Sequence, residues 1–423
     1  MAPDMSALLL VDDEVARGFE PFATSRPGGE LRVGALLLRE RWTTVFGVNA
    51  ESVAFVSATH LQGFAEFDAA PCRPDVSAWL RETGTDDVWV VNTRAVPMLD
   101  VALPGTATTL HIGGRVAAIR LSASEAAEHE VALREGTWPF AERPATQAHD
   151  IDGVWLDAVW DIVRHVVALL QRDIPHLAAR AEATRLEPSQ ASIVVSGPHA
   201  VWVEDEVVVE PMAYFDTSSG PVLLRRGTRV QAFTRMVGPC YVGEHCTLST
   251  DRIAASAIGE HCRVHGELST SVLIGHSNKS HDGFVGHSVL GRWVNLGAGT
   301  ITSNLKNTYG PVALWTPSGA RDTGLQFLGT CFGDHAKTGI GLCLTTGCVI
   351  GTGANVFEHM PPKAVAPFAW GSTPPYATHA VDKFLDTAAR MMARREVVLS
   401  AAQRAWWATV HAYAAADARW PRG

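Results

Sequence analysis

Cysteine and basic charge are both scarce in this chain of 423 residues. Seven cysteines in a chain of this length supply no disulfide framework, and their odd number is typical of a reducing, cytoplasmic environment. The Cys and His residues of this chain do not have the spacing of a structural zinc site. Lys and Arg number 35 against 44 Asp and Glu, which gives a net charge of −9 without basic blocks. We therefore expect no binding to nucleic acid.

Long apolar runs are also missing. No run reaches about 18 residues, so no transmembrane helix is expected. Residues 1–13 contain acids and no basic segment, and this favours a first strand over a signal peptide. Hydrophobic residues make up 47% of the chain and charged residues 19%, which is the composition of globular domains and excludes general disorder. At roughly 150 residues per domain, we expect two or three domains.

The first half of the chain has the pattern of an α/β domain. Short runs rich in β-branched and aromatic residues at 7–11, 53–56 and 88–91 predict buried strands. Apolar residues at helical spacing predict helices over 75–82 and 154–172. Strands that alternate with helices predict a mostly parallel sheet.

The second half repeats an apolar residue followed by glycine. Val242-Gly243, Ile258-Gly259, Ile274-Gly275 and Leu290-Gly291 recur at a spacing of 16 residues. This period is close to that of a hexapeptide parallel β-helix with three faces per coil. We expect the apolar residue to point into a narrow core and the glycine to allow a tight corner with positive φ.

Four cysteines lie in this repetitive half, and a small thiol fits a narrow interior. For Cys246, Cys262, Cys343 and Cys348 we therefore expect an inert core role and not redox or metal chemistry.

Residues 382–416 contain neither glycine nor proline and predict one or two terminal helices that cap or cross the β-helix. Arg390, Arg394 and Arg395 fall on adjacent turns there. They form either a solvated face or a contact to a phosphate or coenzyme.

A first candidate for chemistry follows the first predicted strand. The stretch 22–34 combines Arg26 and Arg32 with Gly28 and Gly29. Ligands of α/β sheets bind beyond the carboxyl ends of strands. Glycine lets backbone N–H groups approach a phosphate, and arginine neutralises its charge. This stretch is a candidate triphosphate loop, although glycine-rich turns with arginine are common.

A second candidate lies in the repetitive half. Residues 277–286 contain His281, and the following coil carries an Asn and a Gly-Ala-Gly-Thr run over 294–305. Neutral histidine accepts a proton from an attacking amine, so His281 is a candidate general base. The alternative is a surface histidine in a long loop.

This second stretch resembles the acetyltransferase half of the bifunctional N-acetylglucosamine-1-phosphate uridylyltransferase/glucosamine-1-phosphate acetyltransferase family. By that resemblance, His281 is the base and Asn295 and Asn304 match two family asparagines. Phe284 stands where the family has a sugar-contacting tyrosine, and Lys279 supplies a positive charge.

The whole chain resembles a divergent bacterial branch of the same family, which has a Thr-x-Arg-Pro-x-x-Glu-Leu-Arg-x-Gly run near its N-terminus. Glu30 belongs to that run. The usual Gly-x-Gly-Thr-Arg opening is absent, so Arg26 and Arg32 would take the place of its basic residues. The Mg²⁺-binding Asp of the family falls at Asn92, a neutral and weaker ligand.

The resemblance implies three regions. They are a nucleotidyltransferase-like (Rossmann-like) α/β domain over 1–188, a left-handed parallel β-helix over 189–372 and a C-terminal helical cap over 373–423. It also implies transfer from a nucleoside triphosphate to a sugar 1-phosphate, with Mg²⁺ and release of pyrophosphate. The β-helix would acylate an amino sugar phosphate with acetyl-CoA or another acyl-CoA, and a homotrimer is implied.

Two alternatives remain open. In one, the β-helix is purely structural or regulatory beside an active nucleotidyltransferase. In the other, both domains form a non-catalytic trimeric scaffold or ligand sensor, which the missing Gly-x-Gly-Thr-Arg run favours.

Overall fold

The computed structural model describes residues 7–142, 148–187 and 192–421. The predicted domain boundary at 188 and 189 lies outside these residues. The first domain has the strands β1 (Ala7–Val11), β2 (Arg32–Val33), β3 (Leu36–Leu37), β4 (Val53–Val56), β5 (Asp87–Asn92), β6 (Ala95–Pro97), β7 (Thr109–Ile112), β8 (Arg115–Ser122), β9 (Ala148–Asp150) and β10 (Gly153–Trp155). Its helices are α1 (Leu38–Phe46), α2 (Val76–Thr83), α3 (Ala123–Glu135) and α4 (Asp161–Arg180), with 3₁₀ turns at Ala16–Gly18, Gly28–Glu30, Ala50–Ser52 and Thr59–Leu61.

Six of these strands form a mixed sheet in the order β4-β1-β5-β8-β7-β9. β1 pairs in parallel with β4 and β5, whereas β8 is antiparallel to both of its neighbours. The helix predicted over 75–82 is confirmed as α2, and the Asp75 carboxylate caps it by accepting the N–H of Ala78. The second predicted helix begins later than expected, at Asp161, because Gly153–Trp155 pairs with β6 as a strand.

The second half is a parallel β-helix, as predicted. Its strands are β11 (Thr184–Arg185), β12 (Val194–Ser196), β13 (Val201–Val203), β14 (Val208–Val209), β15 (Tyr214–Asp216), β16 (Val222–Leu224), β17 (Arg229–Val230), β18 (Thr234–Val237), β19 (Cys240–Val242), β20 (Thr247–Ser249), β21 (Asp251–Ala254), β22 (Ala257–Ile258), β23 (Arg263–His265), β24 (Glu267–Ser269), β25 (Val272–Gly275), β26 (Asn278–Lys279), β27 (Phe284–Gly286) and β28 (Val289–Arg292). Further on lie β29 (Ile301–Thr302), β30 (Ala313–Thr316), β31 (Gly319–Asp322), β32 (Thr330–Phe332), β33 (Lys337–Thr338), β34 (Cys343–Leu344), β35 (Cys348–Ile350), β36 (Asn355–Val356), β37 (Ala364–Val365), β38 (Ala369–Trp370) and β39 (Ala377–Thr378).

Every third strand from β13 to β28 stacks in one sheet, and this sheet continues through β32, β35 and β37. Val242, Ile258, Leu273 and Leu290 pair in register along it and are completely buried inside the coil. The expectation that Ile274 points into the coil is wrong. Leu273 takes the inward position, and Ile274 is buried against the first domain, because alternate residues of a strand face opposite sides.

Three glycines of the repeat, Gly243, Gly259 and Gly291, serve close packing and do not have a positive φ, which corrects the second part of that expectation, whereas Gly275 has a φ of 159°. A Cβ atom on Gly259 would lie 2.0 Å from the carbonyl oxygen of Ile274 on the next coil. The left-handed backbone falls two residues later, at His245 and His261, each with φ of 55°. Glycine is therefore needed where successive coils touch.

Cysteine burial follows the prediction with one exception. Cys246, Cys262 and Cys348 are buried, whereas Cys343 is exposed because its side chain leaves the coil at the start of β34. All seven thiols are free. Within the described ranges, no helix has both the length and the apolarity needed to cross a bilayer.

Two helical regions join the domains. From α4, Leu169 shares a hydrophobic cluster with Tyr241 and Ile274 on the outside of the β-helix. The predicted terminal helices are α5 (Val381–Ala393) and α6 (Ala401–Ala416). They do more than cap the β-helix, since one cluster contains Phe384 and Trp406 together with Leu8 of the first sheet and Trp293 of the coil.

Candidate functional site

The first candidate site lies where β1 and β5 end side by side. β4 lies on one side of β1 and β5 on the other. The connections that leave β1 and β4 therefore run toward opposite edges of the sheet. Such a switch point opens a crevice for ligands in α/β sheets. Asp12 and Asp13 follow β1, and Asn92 closes β5.

Asp12 holds three strand-end loops together. Its carboxylate accepts the N–H of Gly28 at 3.0 Å and the Thr93 hydroxyl at 2.7 Å, and also the Ser57 hydroxyl. Burial raises the pKa of Asp12, and these hydrogen bonds oppose the rise. This residue shapes the crevice and is not left free for a ligand.

Asn92 was expected to stand at the Mg²⁺ position. Its Nδ2 donates to Asp13 at 2.9 Å and its Oδ1 accepts the N–H of Arg94 at 2.9 Å. The Arg94 guanidinium also lies 2.7 Å from the Asp13 carboxylate and neutralises it. Mg²⁺ needs oxygen ligands that are free and usually anionic. These residues do not fit a resident Mg²⁺ at Asn92.

The candidate triphosphate loop is buried between the two domains. The N–H of Gly28 is used by Asp12, and a Cβ atom on Gly29 would lie 2.3 Å from the Phe55 ring. Glu30 accepts a hydrogen bond from Arg39 at 2.7 Å. These glycines therefore allow close packing against the sheet.

Arg26 is 1% exposed and points at the β-helix. Its guanidinium lies 2.9 Å from Asp334 and 3.1 Å from Glu66. Arg32 is 3% exposed and donates to the carbonyl of Ile274 at 3.2 Å and to Glu260 at 2.8 Å. Both arginines have carboxylate partners inside the protein, so the geometry favours a role in joining the domains over triphosphate binding.

These pairs belong to one chain of buried charges. Arg292 of the β-helix contacts Glu66 at 3.2 Å and also pairs with Glu260, the partner of Arg32. Arginine and carboxylate thus alternate across the interface. Burial of such charges is tolerated because each has an opposite neighbour.

An open cavity of about 430 Å³ adjoins the crevice. The loop after β1 contributes Arg17 and Glu20, and the segment before α4 contributes Trp160. The β30–β31 hairpin of the β-helix supplies Arg321, whose guanidinium carbon lies 5.1 Å from the Trp160 ring centroid. The C-terminal segment adds Arg419, which lies 3.5 Å from Glu20. Four separate segments of the chain therefore build this cavity.

The second candidate site is the groove around His281. His281 is exposed in the turn after β26 and lines a cavity of about 420 Å³. Lys279, by contrast, is 2% exposed, and its ammonium donates to the carbonyl oxygens of His265 at 2.6 Å and His281 at 3.0 Å. Burial lowers the pKa of Lys279 to about 8. It therefore holds the turn that presents His281.

The three other residues of this motif separate into two groups. Asn295 lines the same cavity as His281 and accepts a hydrogen bond from Asn278 at 3.3 Å. Phe284 and Asn304 lie on the adjoining face, where Asn304 donates to the His287 ring at 2.9 Å. Burial lowers the pKa of His287 to about 4, so its imidazole is neutral.

Residues 8–182 match the sequence profile of a family described as sugar nucleotidyl transferase. This part of the chain is a sugar nucleotidyl transferase domain. The bifunctional sugar-1-phosphate nucleotidylyltransferase/acetyltransferase of Sulfurisphaera tokodaii is 33% identical over 91 residues, which are 22% of this chain and 23% of that protein. The bifunctional protein GlmU of a Cyanothece strain is 24% identical over 224 residues, 47% of this chain and 44% of that protein.

The chain therefore matches less than half the length of these curated relatives. Among solved structures, the N-acyltransferase AntD of Bacillus cereus aligns with 48% of this chain and 92% of its own, at 11% identity and a TM-score of 0.21.

Sequence reasoning missed most of the residues that line the 430 Å³ cavity beside the sugar nucleotidyl transferase domain. Arg321 and Arg419 come from regions assigned to the β-helix and the helical cap, and no local motif marks them. Asp12 and Asp13 could have been predicted from the sequence. They directly follow the first strand, and ligands of α/β sheets bind beyond the carboxyl ends of the strands. His287 lies six residues after His281 and had no distinguishing pattern.

Proposed function

We propose that the first domain transfers a nucleotidyl group from a nucleoside triphosphate to a sugar 1-phosphate and releases pyrophosphate. The family match over residues 8–182 is the observation that carries this proposal. The 430 Å³ cavity beside the switch point supports it, because it lies where α/β sheets bind ligands and has a volume typical of small-molecule sites.

Residues of the cavity have groups that suit phosphates and a sugar. Arg321 is exposed and its guanidinium lies over the Trp160 ring, so it is accessible to pair with a phosphate. The hydroxyls of Thr316 and Ser318 on the same hairpin are hydrogen-bonding groups for a sugar. Catalysis of this type depends on positioning and charge neutralisation. We assign no step to Mg²⁺, since the residues around Asn92 do not fit it.

We propose that the β-helix acylates an amino sugar phosphate with an acyl-CoA donor. His281 would accept the proton of the attacking amine, and its exposure leaves the imidazole accessible. Lys279 fixes the turn, while Asn295 offers an amide beside the imidazole. We further propose a homotrimer in the cytoplasm, with the three regions 1–188, 189–372 and 373–423.

A screen for pyrophosphate release tests the first activity. The full chain is incubated with each nucleoside triphosphate and a panel of sugar 1-phosphates, with and without acetyl-CoA. Release should require one triphosphate and one sugar phosphate together, and thiol release from acetyl-CoA should require an amino sugar. Absence of pyrophosphate release with every pair would contradict the proposal.

A non-catalytic scaffold or ligand sensor is the second candidate. One observation favours it, namely that Arg26, Arg32 and the N–H of Gly28 are all bound within the protein. This candidate predicts that the same screen yields ligand-induced stabilisation without pyrophosphate release.

A further inference from the structure

One corner of the β-helix brings three side chains with metal-binding atoms together. Asp251 begins β21, His265 ends β23, and Asp282 lies in the turn between β26 and β27. Because β20, β23 and β26 stack in one sheet, the three residues occupy the same corner of three successive coils. One carboxylate oxygen from each aspartate and one ring nitrogen of His265 all lie within 4.8 Å of one another. We call these three residues the corner cluster.

The carboxylates of the corner cluster lack the partners that other acids on the coil have. Asp216 pairs with Arg235 at 3.2 Å, and Glu267 pairs with Arg252 at 3.2 Å, in each case between neighbouring coils. Within the described ranges, no lysine or arginine forms an ion pair with either aspartate of the cluster. Oδ1 of Asp282 instead lies 3.6 Å from Nε2 of His265. The cross-coil pairing of carboxylate with arginine is therefore interrupted at this corner.

The corner also keeps an excess of negative charge. Lys279 lies beside it, but its ammonium donates to the carbonyl oxygens of His265 and His281. Burial lowers the pKa of Lys279, and the charges of Asp251 and Asp282 oppose this shift. Two carboxylates outweigh one ammonium, so the corner attracts a further cation.

The chemistry of the cluster decides which cation it suits. One imidazole with two carboxylates matches a divalent transition metal, whereas Mg²⁺ and Ca²⁺ prefer oxygen ligands alone. Bonds of about 2.0–2.2 Å place the ligand atoms of one tetrahedral Zn²⁺ roughly 3.3–3.5 Å apart. The 3.6 Å between His265 and Asp282 is close to this separation. Asp251 is exposed, so rotation of its side chain brings the third ligand to the same ion.

We propose that Asp251, His265 and Asp282 together bind one divalent transition metal ion, for which Zn²⁺ is the best match. Three protein ligands leave the fourth position of the ion open to water. The ion joins three successive coils at one corner and so stabilises the β-helix. None of the three ligands lines the 430 Å³ cavity or the 420 Å³ cavity, so the site is additional to both proposed reactions.

Zinc binding by the full chain tests the proposal, after bound metals have been removed with EDTA and the EDTA by dialysis. Calorimetry with Zn²⁺ gives the affinity and the stoichiometry, and visible absorption of Co²⁺ as a replacement reports the ligands. The cluster variants are Asp251→Asn, His265→Gln and Asp282→Asn. The matched controls are Asp205→Asn and His359→Gln, at exposed positions of the β-helix outside the cluster. Thermal midpoints without metal show that each variant is folded.

We expect one Zn²⁺ per chain, with affinity reduced at least about 10-fold in each cluster variant, since loss of a residue that only supports a metal ligand already costs that much. The controls should bind like the wild type. Co²⁺ with fewer than six ligands absorbs more strongly than the hydrated ion, and His265→Gln should lose this band. Added Zn²⁺ should raise the thermal midpoint of the wild type and of the controls but not of the cluster variants.

The proposal is overturned if the wild type binds no Zn²⁺. It is also overturned if all three cluster variants bind Zn²⁺ as tightly as the two controls, because scattered histidines among the 17 of the chain would then account for the binding. Neither result depends on turnover, so the proposed nucleotidyl and acyl transfers are tested separately.

Discussion

Arg26 in the loop after β1 donates to the Asp334 carboxylate at 2.9 Å, although 308 positions separate them in the chain. The loop that the sequence marks as a phosphate cradle thus supplies a buried contact between the two domains. Glu66 and Arg292 extend the contact into a chain of alternating charges. Because these groups are desolvated, loss of one partner leaves another charge unpaired.

Substitution Arg26→Ala should therefore lower stability more than nucleotide affinity. Removal of one partner from a buried ion pair typically costs about 3–5 kcal/mol. We expect a loss of that order in the free energy of unfolding, measured by urea denaturation. Arg81→Ala, at an exposed position of α2, is the control and should change little.

The opposite pattern would restore the triphosphate role of Arg26. In that case the variant keeps its urea midpoint and loses about 1–3 kcal/mol of nucleotide binding, the range for a charge-assisted contact.

Substitution His281→Ala should remove most acyl transfer and leave pyrophosphate release nearly unchanged. General-base assistance contributes roughly 10²–10⁴-fold in rate, and the two candidate cavities share no lining residue. Parallel assays of thiol release and pyrophosphate release on one preparation check this. His359→Ala is a control at an exposed histidine elsewhere on the β-helix, and full acyl transfer in His281→Ala would remove the base assignment.

The buried carboxyl group of Glu20 should make stability depend on pH. Burial raises its pKa from 4.5 to about 7, while Thr24 and Arg419 oppose the rise. The folded protein therefore keeps this proton at pH values where the unfolded chain has lost it. Stability falls as pH rises from about 4.5 to about 7, by up to about 3 kcal/mol from this group.

Glu20→Gln should abolish that part of the pH dependence. Urea midpoints at pH 5 and pH 8 for the wild type, Glu20→Gln and the exposed control Glu82→Gln check the effect. Equal slopes with pH in all three proteins would show that Glu20 does not contribute.

Assembly can be tested at Ile340, which is 84% exposed and lines the His281 cavity. If this edge is a subunit contact, Ile340→Lys should reduce the mass seen by light scattering from that of a trimer. Val398→Lys alters an equally exposed apolar residue between α5 and α6 and should leave the mass unchanged. A wild-type monomer at micromolar concentration would contradict the trimer.

Substitution Arg321→Gln tests the cavity of the sugar nucleotidyl transferase domain. Loss of one charge-assisted phosphate contact should weaken nucleotide or sugar-phosphate binding by about 1–3 kcal/mol. The thermal midpoint should stay within about 1 °C of the wild type, since the side chain is exposed. Unchanged binding of both substrates would show that the phosphates lie elsewhere.

Local patterns in the sequence predicted the elements that depend on near neighbours. The helix at Val76–Thr83 begins at its Asp75 cap, and the apolar repeat identifies the stacked coils from β19 to β28. The turn that presents His281 is also held by a near neighbour, Lys279, although the sequence indicated only a positive charge for Lys279 and not this contact. Such features depend on contacts within one helical turn or one coil. The spacing of apolar and capping residues along the sequence determines those contacts.

Only the tertiary structure determines which partners the charged residues contact and which strand residues face the interior of the coil. Whether Leu273 or Ile274 enters the coil depends on the length of each coil, which the glycine spacing does not fix. Arg26 faces Asp334 and not a triphosphate because the β-helix packs on the loop after β1. Arg321 reaches the crevice only because a hairpin of the second domain folds over the first, so no pattern within either segment could place it there.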